Sequence, residues 1–186
     1  MSDQEVLTWD AFGVASRDLA AAIHASGFRP DALLGIARGG LPLLGSLAYE
    51  LESKRCFLVN VEFYTGVDER LERPIVLPPA LQLGDLADMN VLVLDDVADT
   101  GATLEAVRDL CVPHVAEVRT AVVYQKPHST IQADYAWRTT TQWITFPWSS
   151  PAAETGVESA ISQRVSSDAI DAETWQTVNV LRRPRA

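Results

Sequence analysis

One segment of this chain constrains its fold more than any other: a buried strand that runs directly into two acids, a polar loop and a helix. Residues 91–94 are four apolar residues, Asp95 and Asp96 follow them, and a helical pattern begins at Thr103. A strand followed closely by a helix is the building unit of a parallel sheet with crossover connections. Ligands bind beyond the carboxyl ends of such strands, so we expect both acids at the mouth of a binding site.

The rest of the chain repeats this alternation. Either Thr8 or Asp10 is expected to cap the first helix, and Gly27 and Pro30 end it. Helices are predicted at residues 12–23, 41–51 and 103–110, and strands at 32–37, 56–61, 91–94 and 118–124. Residues 64–90 are charged and rich in Pro and Asp, which predicts a long loop with short strand pieces. The predicted fold class is α/β, a doubly wound and mostly parallel sheet.

Length and charge limit the functions open to the chain. Its 186 residues suffice for one sizeable core and not for two ordinary domains. The formal charge of −10 argues against binding nucleic acid, which needs a basic surface. It leaves small phosphorylated ligands open, because Mg²⁺ and backbone amides can hold them. Only Lys54 and Lys126 are lysines, against thirteen arginines.

The expected compartment is the cytoplasm. No apolar run approaches the roughly 20 residues that span a bilayer, and the acidic N-terminus differs from a signal peptide. Cys56 and Cys111 have no metal-ligand spacing, and two cysteines are too few for a disulfide scaffold. Three scattered histidines give little support to a His-based metal site.

The loop after the acids has the parts of a phosphate cradle that does not need lysine. Residues 99–103 offer successive backbone N–H groups, the hydroxyls of Thr100 and Thr103, and the start of a helix. Gly101 allows close approach and a positive φ. Taken alone, the acid pair would be an ordinary strand-end turn, but strand, acids and loop in this order are hard to obtain by accident.

This segment resembles the PRPP-binding motif of type I phosphoribosyltransferases. In that motif two acids contact the ribose hydroxyls and the loop binds the 5′-phosphate. Other segments are similar, in the same order, to motifs of the bacterial xanthine–guanine and the wider 6-oxopurine phosphoribosyltransferases: residues 8–10, 37–40, 125–127, 134–135 and 143–148. The resemblance covers about residues 7–148. It implies a small hood, largely from residues 126–149, on a domain of residues 1–149.

The resemblance implies a role for each matching residue. The PRPP-binding set is Asp95, Asp96, Asp99, Thr100, Gly101, Ala102 and Thr103; the pyrophosphate set is Arg38, Gly39 and Gly40; the purine set is Lys126, Trp143 and Ile144. Lys126 would donate to the purine 6-oxo oxygen, Trp143 would stack on the base, and Asp99 would be the general base at N7. Trp148 is expected to be a core aromatic of the hood.

The implied reaction joins PRPP and a 6-oxopurine base into a nucleoside monophosphate and pyrophosphate, for purine salvage. Its cofactor would be Mg²⁺, held by Asp95 and Asp96 directly or through water and PRPP. The family implies a homodimer or homotetramer. Two other functions stay open: a phosphoribosyltransferase for another base, and a PRPP- or nucleotide-binding regulator without catalysis.

The match departs from the family pattern at three places. Residues 61–79 stand where a flexible lid is expected, and Phe63-Tyr64 replaces the usual Ser-Tyr pair, which leaves Tyr64 as the lid residue. Ser149 stands where related enzymes often have an Asp that contacts a second metal. Ala37 replaces a serine or bulkier residue before Arg38. Residues 150–186 are unmatched, and a helix is expected from about Ser167.

Overall fold

The computed structural model describes the backbone of residues 4–66, 69–77 and 81–149, and the side chains of residues 4–61 and 81–149. In chain order the elements are β1 (Gln4–Val6), α1 (Trp9–Ala25), β2 (Ala32–Ala37), α2 (Leu41–Glu50), β3 (Cys56–Gly66), β4 (Glu69–Leu77), a short 3₁₀ helix (Leu83–Leu86), β5 (Asn90–Ala98), α3 (Ala102–Cys111), β6 (Glu117–Gln125), β7 (Tyr135–Thr139) and β8 (Trp143–Thr145).

The main sheet has six strands in the order β4-β3-β2-β5-β6-β7. Five are parallel to one another, and β4 pairs antiparallel with β3 at one edge. The strands β1 and β8 form a separate two-stranded sheet. The predicted α/β fold with a mostly parallel sheet is confirmed.

Helices pack on both faces of this sheet. On one face, Gly35 of β2 lies so close to Leu44 of α2 that a Cβ at position 35 would be 2.9 Å from the leucine side chain. On the other face, Leu104 and Val107 of α3 join a buried cluster with residues of the central strands. The runs at 32–36 and 91–94 are apolar at every position because both faces of these strands are covered.

Of the two candidate caps of α1, Thr8 and Asp10, the structure selects Thr8. Thr8 precedes the first turn in extended conformation, and its hydroxyl accepts a hydrogen bond from the Ala11 amide at 3.2 Å. Asp10 lies inside the first turn, where its charge suits the positive end of the helix. Phe12, Leu19 and Ile23 form the buried stripe of α1 at the predicted spacing.

The prediction of a long loop over residues 64–90 is wrong. Residues 64–66 and 69–77 of this segment belong to the strands β3 and β4, which form an antiparallel pair with Val61 opposite Val76. Charged residues and Pro74 obscured β4 in the sequence, but an edge strand tolerates both, because one side of its backbone lacks a partner strand. Tyr64 lies on β3; its side chain lies outside the described residues, so its lid role stays a prediction.

The central strand β5 is longer than predicted. It continues past Leu94 through both acids to Ala98, because β6 continues beside it, with Asp95 opposite Val122 and Ala98 opposite Gln125. The acids therefore lie within a strand and not after it.

The residues up to Ile144 form one compact unit, and Thr145 begins a second, of which the structure describes residues 145–149. In that part Phe146 and Trp148 stack with ring centroids 5.0 Å apart. The predicted extension over residues 150–186 and its helix near Ser167 lie outside the described residues. Within the described ranges, no helix has the length and apolar character needed to cross a membrane.

The two cysteines differ in burial, and this predicts different reactivity. Cys56 is exposed, whereas Cys111 is fully buried on α3, and burial raises the pKa of its thiol to about 11. Alkylation of the native protein with iodoacetamide at pH 8 should add one group by intact mass, and alkylation after denaturation should add two. Cys56→Ser should remain unlabelled in the native state; rapid labelling of both native thiols would contradict this packing.

Candidate active site

The site begins where β2 and β5 separate. Their pairing ends at Gly35 opposite Leu94, whereas β5 continues beside β6 for four more residues. From β2 the chain passes to β3 on one side, and β5 lies on the other. This reversal of strand order is the place where open parallel sheets bind ligands. Asp95 and Asp96 are the first residues of β5 beyond the paired segment.

The loop after β2 approaches these acids very closely. A Cβ at Gly39 would lie 2.5 Å from the carboxyl atoms of Asp96, and a Cβ at Gly40 would meet the carbonyl oxygen of Leu94 and lie 2.8 Å from that of Ile36. No side chain fits at either position without a shift of its surroundings. The absence of side chains at the two glycines therefore lets the backbone of this loop lie against β5 and the Asp96 carboxyl group, and the Gly40 amide donates to the Ile36 carbonyl at 2.8 Å.

Arg38 points elsewhere. It is exposed and lines a cavity of about 530 Å³ with Ala37, Asn60 and Val61, at the end of β2 and beside the middle of β3. The peptide bond between Ala37 and Arg38 is cis. The loop thus presents Arg38 on the β3 side and its glycines on the β5 side.

The two acids have different surroundings. Asp95 is only 9 % exposed, and its Oδ1 accepts a hydrogen bond from the Asp96 amide at 2.9 Å. Burial, followed by the charge of Asp96, raises the pKa of Asp95 well above its usual range. Asp96 is half-buried. Such a pair is stabilised by a group that brings positive charge or hydroxyl donors.

The predicted phosphate loop joins β5 to α3. Gly101 has φ of +87°, and α3 begins at Ala102, so Thr103 lies in its first turn. Intrahelical bonding starts with the Glu105 amide, which donates to the Gly101 carbonyl at 2.9 Å. The amides before it face the loop, where a phosphate would meet the positive end of the helix.

The segment after β6 holds this loop in place. The amide of Thr130 donates to the Thr100 carbonyl at 2.8 Å, and its hydroxyl donates to the same oxygen at 3.0 Å. Asp99 and Thr100 are exposed, and Oδ1 of Asp99 lies 3.2 Å from Nε2 of His128. Sequence analysis missed both contacts, because they join residues about 30 positions apart.

Lys126 is held at the end of β6 and is almost fully buried, with 7 % exposure. Its amide donates to the Ala98 carbonyl at 2.9 Å, and its ammonium donates to the Gln142 carbonyl. The side chain of Gln125 fixes the following turn, donating to the Ile131 carbonyl at 3.1 Å and accepting from the Ala133 amide at 3.1 Å. The lysine is therefore not a solvated strand end.

The other predicted base-binding residues lie on β8. Trp143 exposes 75 % of its surface, and Ile144 is buried. A large aromatic side chain left open to solvent is available as a stacking surface. Ser149, where a metal-binding Asp was expected from the family pattern, donates its hydroxyl to the Phe146 carbonyl at 3.2 Å.

Comparison with known proteins places this geometry in a family. The sequence of residues 2–155 matches the family model of the phosphoribosyl transferase domain. The chain belongs to the phosphoribosyltransferase family. A protein of Cereibacter sphaeroides named xanthine-guanine phosphoribosyltransferase is 32% identical over 149 residues, covering 76% of this chain and 84% of the relative.

Solved phosphoribosyltransferase structures share the fold. A purine phosphoribosyltransferase of Pyrococcus horikoshii is 34% identical and superposes with a TM-score of 0.69 over 78% of this chain and 93% of its own. The xanthine-guanine-hypoxanthine phosphoribosyltransferase of Helicobacter pylori, at 21% identity, has a TM-score of 0.69 over 84% of this chain and 99% of its own. At this low identity, the likeness to the Helicobacter pylori protein shows the fold alone.

The tight packing of the phosphate loop predicts a difference between two glycines that both have positive φ. Gly27 has φ of +82° and open space around it, whereas a Cβ at Gly101 would clash with Ser129 and with Ile131. Gly27→Ala should cost about 1–2 kcal/mol, the strain of the left-handed conformation. Gly101→Ala should cost at least about 1 kcal/mol more, because overpacking is added.

Urea unfolding of both variants measures this difference. Equal destabilisation of the two variants would contradict the contact between the phosphate loop and the segment after β6.

Proposed function

We propose that the chain transfers the 5-phosphoribosyl group of PRPP to a 6-oxopurine base, such as guanine, xanthine or hypoxanthine, and releases pyrophosphate. One observation carries the proposal. The strand β5, which contains Asp95 and Asp96, leads directly into the phosphate loop, and Gly39 packs against the Asp96 carboxyl group. Relatives named as purine and xanthine-guanine phosphoribosyltransferases support it.

PRPP binding is assigned to the loops at the ends of β2 and β5. The 5′-phosphate would be held by the backbone of residues 99–103, including Gly101 and Ala102, with the hydroxyls of Thr100 and Thr103. The ribose hydroxyls would donate to Asp95 and Asp96. The pyrophosphate would lie against the backbone of Gly39 and Gly40, where the missing side chains leave room, although the Gly40 amide itself donates to the Ile36 carbonyl. The guanidinium of Arg38 would supply a charged, planar donor.

The base is assigned to Lys126, Trp143 and Ile144. An ammonium group only donates, so Lys126 suits the oxygen at purine position 6 and not the amino group of adenine. Its burial supports this role, because an almost fully buried ammonium that the Gln142 carbonyl holds in place is a fixed donor, which suits an oxygen at that position and not an amino group. The exposed ring of Trp143 would stack on the purine, and the Ile144 carbonyl would accept from the exocyclic edge.

Asp99 is proposed as the general base. Carboxylates commonly take a proton in the transition state and contribute about 10²–10⁴-fold. Asp99 would accept the N7 proton as purine N9 bonds to C1′ of the ribose and the bond from C1′ to pyrophosphate breaks. Its exposure between the phosphate loop and the turn after Lys126 supports this role.

Mg²⁺ fits the residues present. In the described part of the chain no cluster of three metal-ligating side chains occurs. Mg²⁺ is often bound by one or two carboxylates together with substrate phosphates, which matches the acid pair Asp95 and Asp96. When bound with PRPP, the ion would neutralise charge on the departing pyrophosphate.

A homodimer or homotetramer in the cytoplasm is also proposed. Tyr49 is 88 % exposed, and Leu58 is exposed as well; large apolar side chains on a surface often mark contact areas. Both cysteines are free thiols, which is usual in a reducing compartment. The molar mass in solution tests the oligomeric state.

One set of assays tests both the activity and its base specificity, and it compares variants of the two lysines, Lys126 and Lys54. Pyrophosphate release from PRPP should occur with at least one of guanine, xanthine and hypoxanthine, should be absent with adenine and uracil, and should stop when EDTA removes Mg²⁺. Lys126→Met should lower kcat/KM about 10- to 150-fold, since a hydrogen bond to a charged group is worth about 1.5–3 kcal/mol.

Lys54→Met is the matched control, because Lys54 is the other lysine of the chain and is exposed. PRPP affinity should be unchanged in both variants. PRPP binding without turnover of any base would favour the regulator, and turnover of another base alone would overturn the purine assignment.

A further inference from the structure

His128 is a chemistry-bearing residue beside the site to which the proposed function gives no role. Its Nε2 atom lies 3.2 Å from Oδ1 of Asp99, and both side chains are more than half exposed, at 63 % and 61 %. An exposed ion pair adds little to stability, so packing does not explain why the ring stands there. Stability therefore does not explain the position of His128 next to Asp99, the proposed general base.

The backbone fixes this position on both sides. Lys126 and Ser129 close a turn around His128, with the Ser129 amide donating to the Lys126 carbonyl at 3.1 Å. Thr130 then ties the turn to the phosphate loop through its two bonds to the Thr100 carbonyl. The contact therefore depends on two anchored loops, and removing the imidazole leaves those anchors in place.

We propose that His128 positions the Asp99 carboxylate and accepts from it the proton taken from the base. The inference rests on the proposed function. In each turnover the N7–H bond of the purine would break and an O–H bond would form on Asp99, which becomes neutral. Asp99 must lose this proton before the next turnover. A neighbouring imidazole suits the step, because histidine exchanges protons readily near neutral pH.

The geometry allows a complete cycle. His128 contacts Oδ1 of Asp99, so Oδ2 of the same carboxylate is the oxygen that receives the proton from purine N7. The terminal torsion of an aspartate is broad and nearly two-fold, so a half turn of the exposed carboxyl group brings the protonated oxygen to Nε2. The O–H bond breaks, an Nε2–H bond forms, and the imidazolium releases a proton to water. In the resting state Nε2–H donates to Oδ1 of Asp99. Before the transfer the exposed ring exchanges this proton with water for one on Nδ1, which leaves Nε2 able to accept, and loss of the Nδ1 proton afterwards restores the resting tautomer.

Three variants of the full chain test the proposal by nucleotide formation in a single turnover, which reports the positioning of Asp99 without product release, and over repeated turnovers, which also require the proton to leave Asp99. His128→Ala should slow the chemical step about 10-fold, less than the 10²–10⁴-fold expected for Asp99→Asn, with PRPP affinity changed less than about twofold. His128→Gln keeps an N–H donor and cannot accept the proton, so it should approach the wild type in a single turnover and be as slow as His128→Ala over repeated turnovers. His114→Ala, at another exposed histidine, should match the wild type.

Two further measurements separate the relay from a structural role. Added imidazole should restore the rate of His128→Ala and leave that of His128→Gln, whose side chain fills the space, unchanged. In the Asp99→Asn background, His128→Ala should have no additional effect, because His128 acts through Asp99.

Each contrary result has a distinct meaning. An active wild type with unchanged His128→Ala, a His128→Gln variant that is fully active over repeated turnovers, or additive effects of the two substitutions would overturn the relay alone. A wild-type chain that forms no nucleotide from any purine would overturn the proposed function and the relay with it.

Discussion

The close approach of Gly39 to the Asp96 carboxylate is the contact on which the proposed site depends. It exists because β2 and β5 pair only as far as Gly35 and Leu94 and then separate, while β6 supports β5 through both acids. The loop after β2 can enter that gap only as bare backbone, since a Cβ at Gly39 would lie 2.5 Å from the carboxyl atoms. The backbone of this loop thereby lies against the carboxyl group of the neighbouring strand β5.

This contact explains how an acidic chain can accommodate a highly anionic ligand. A net charge of −10 repels phosphate at long range. Over a few ångströms, backbone amides, the start of α3, a proposed Mg²⁺ and Arg38 supply the opposite potential. Burial of Asp95, followed by the charge of the neighbouring Asp96, raises the pKa of Asp95 and so opposes keeping both carboxylates charged. In the proposed site Lys126, one of two lysines, is assigned to the base and not to the phosphates.

The central elements could be predicted from the sequence, because their signals are local. Residues 32–37 and 91–94 are apolar at every position, as strands covered on both faces must be, and Thr8 or Asp10 before an apolar stripe marks the start of α1. The length of β5 could not be predicted, because it depends on pairing with β6 across the charged positions 95 and 96. The strand β4 was missed because Pro74 and its charges are tolerated only at a sheet edge, and position in a sheet is a tertiary property.

The site shows the same difference between local sequence signals and contacts that form only in the folded chain. The acids, the phosphate loop and Lys126 follow one another in motifs that sequence analysis could recognise. The partners of those residues could not be found in this way. His128 and Thr130 reach Asp99 and Thr100 only because β6 lies beside β5 and its following turn folds back. The direction of Arg38 toward β3 also depends on the path of the loop and not on its composition.

The most direct test of this account is PRPP binding to Gly39→Ala by calorimetry in the presence of Mg²⁺. The added methyl group must displace either the loop or Asp96 itself, and both shifts spoil the gap between β2 and β5. Gly45→Ala, on the exposed side of α2 with open space around it, is the control. We predict that Gly39→Ala folds and loses at least about 10-fold in PRPP affinity, a cost of about 1.4 kcal/mol, while Gly45→Ala binds like the wild type. Unchanged PRPP affinity in Gly39→Ala would contradict the account.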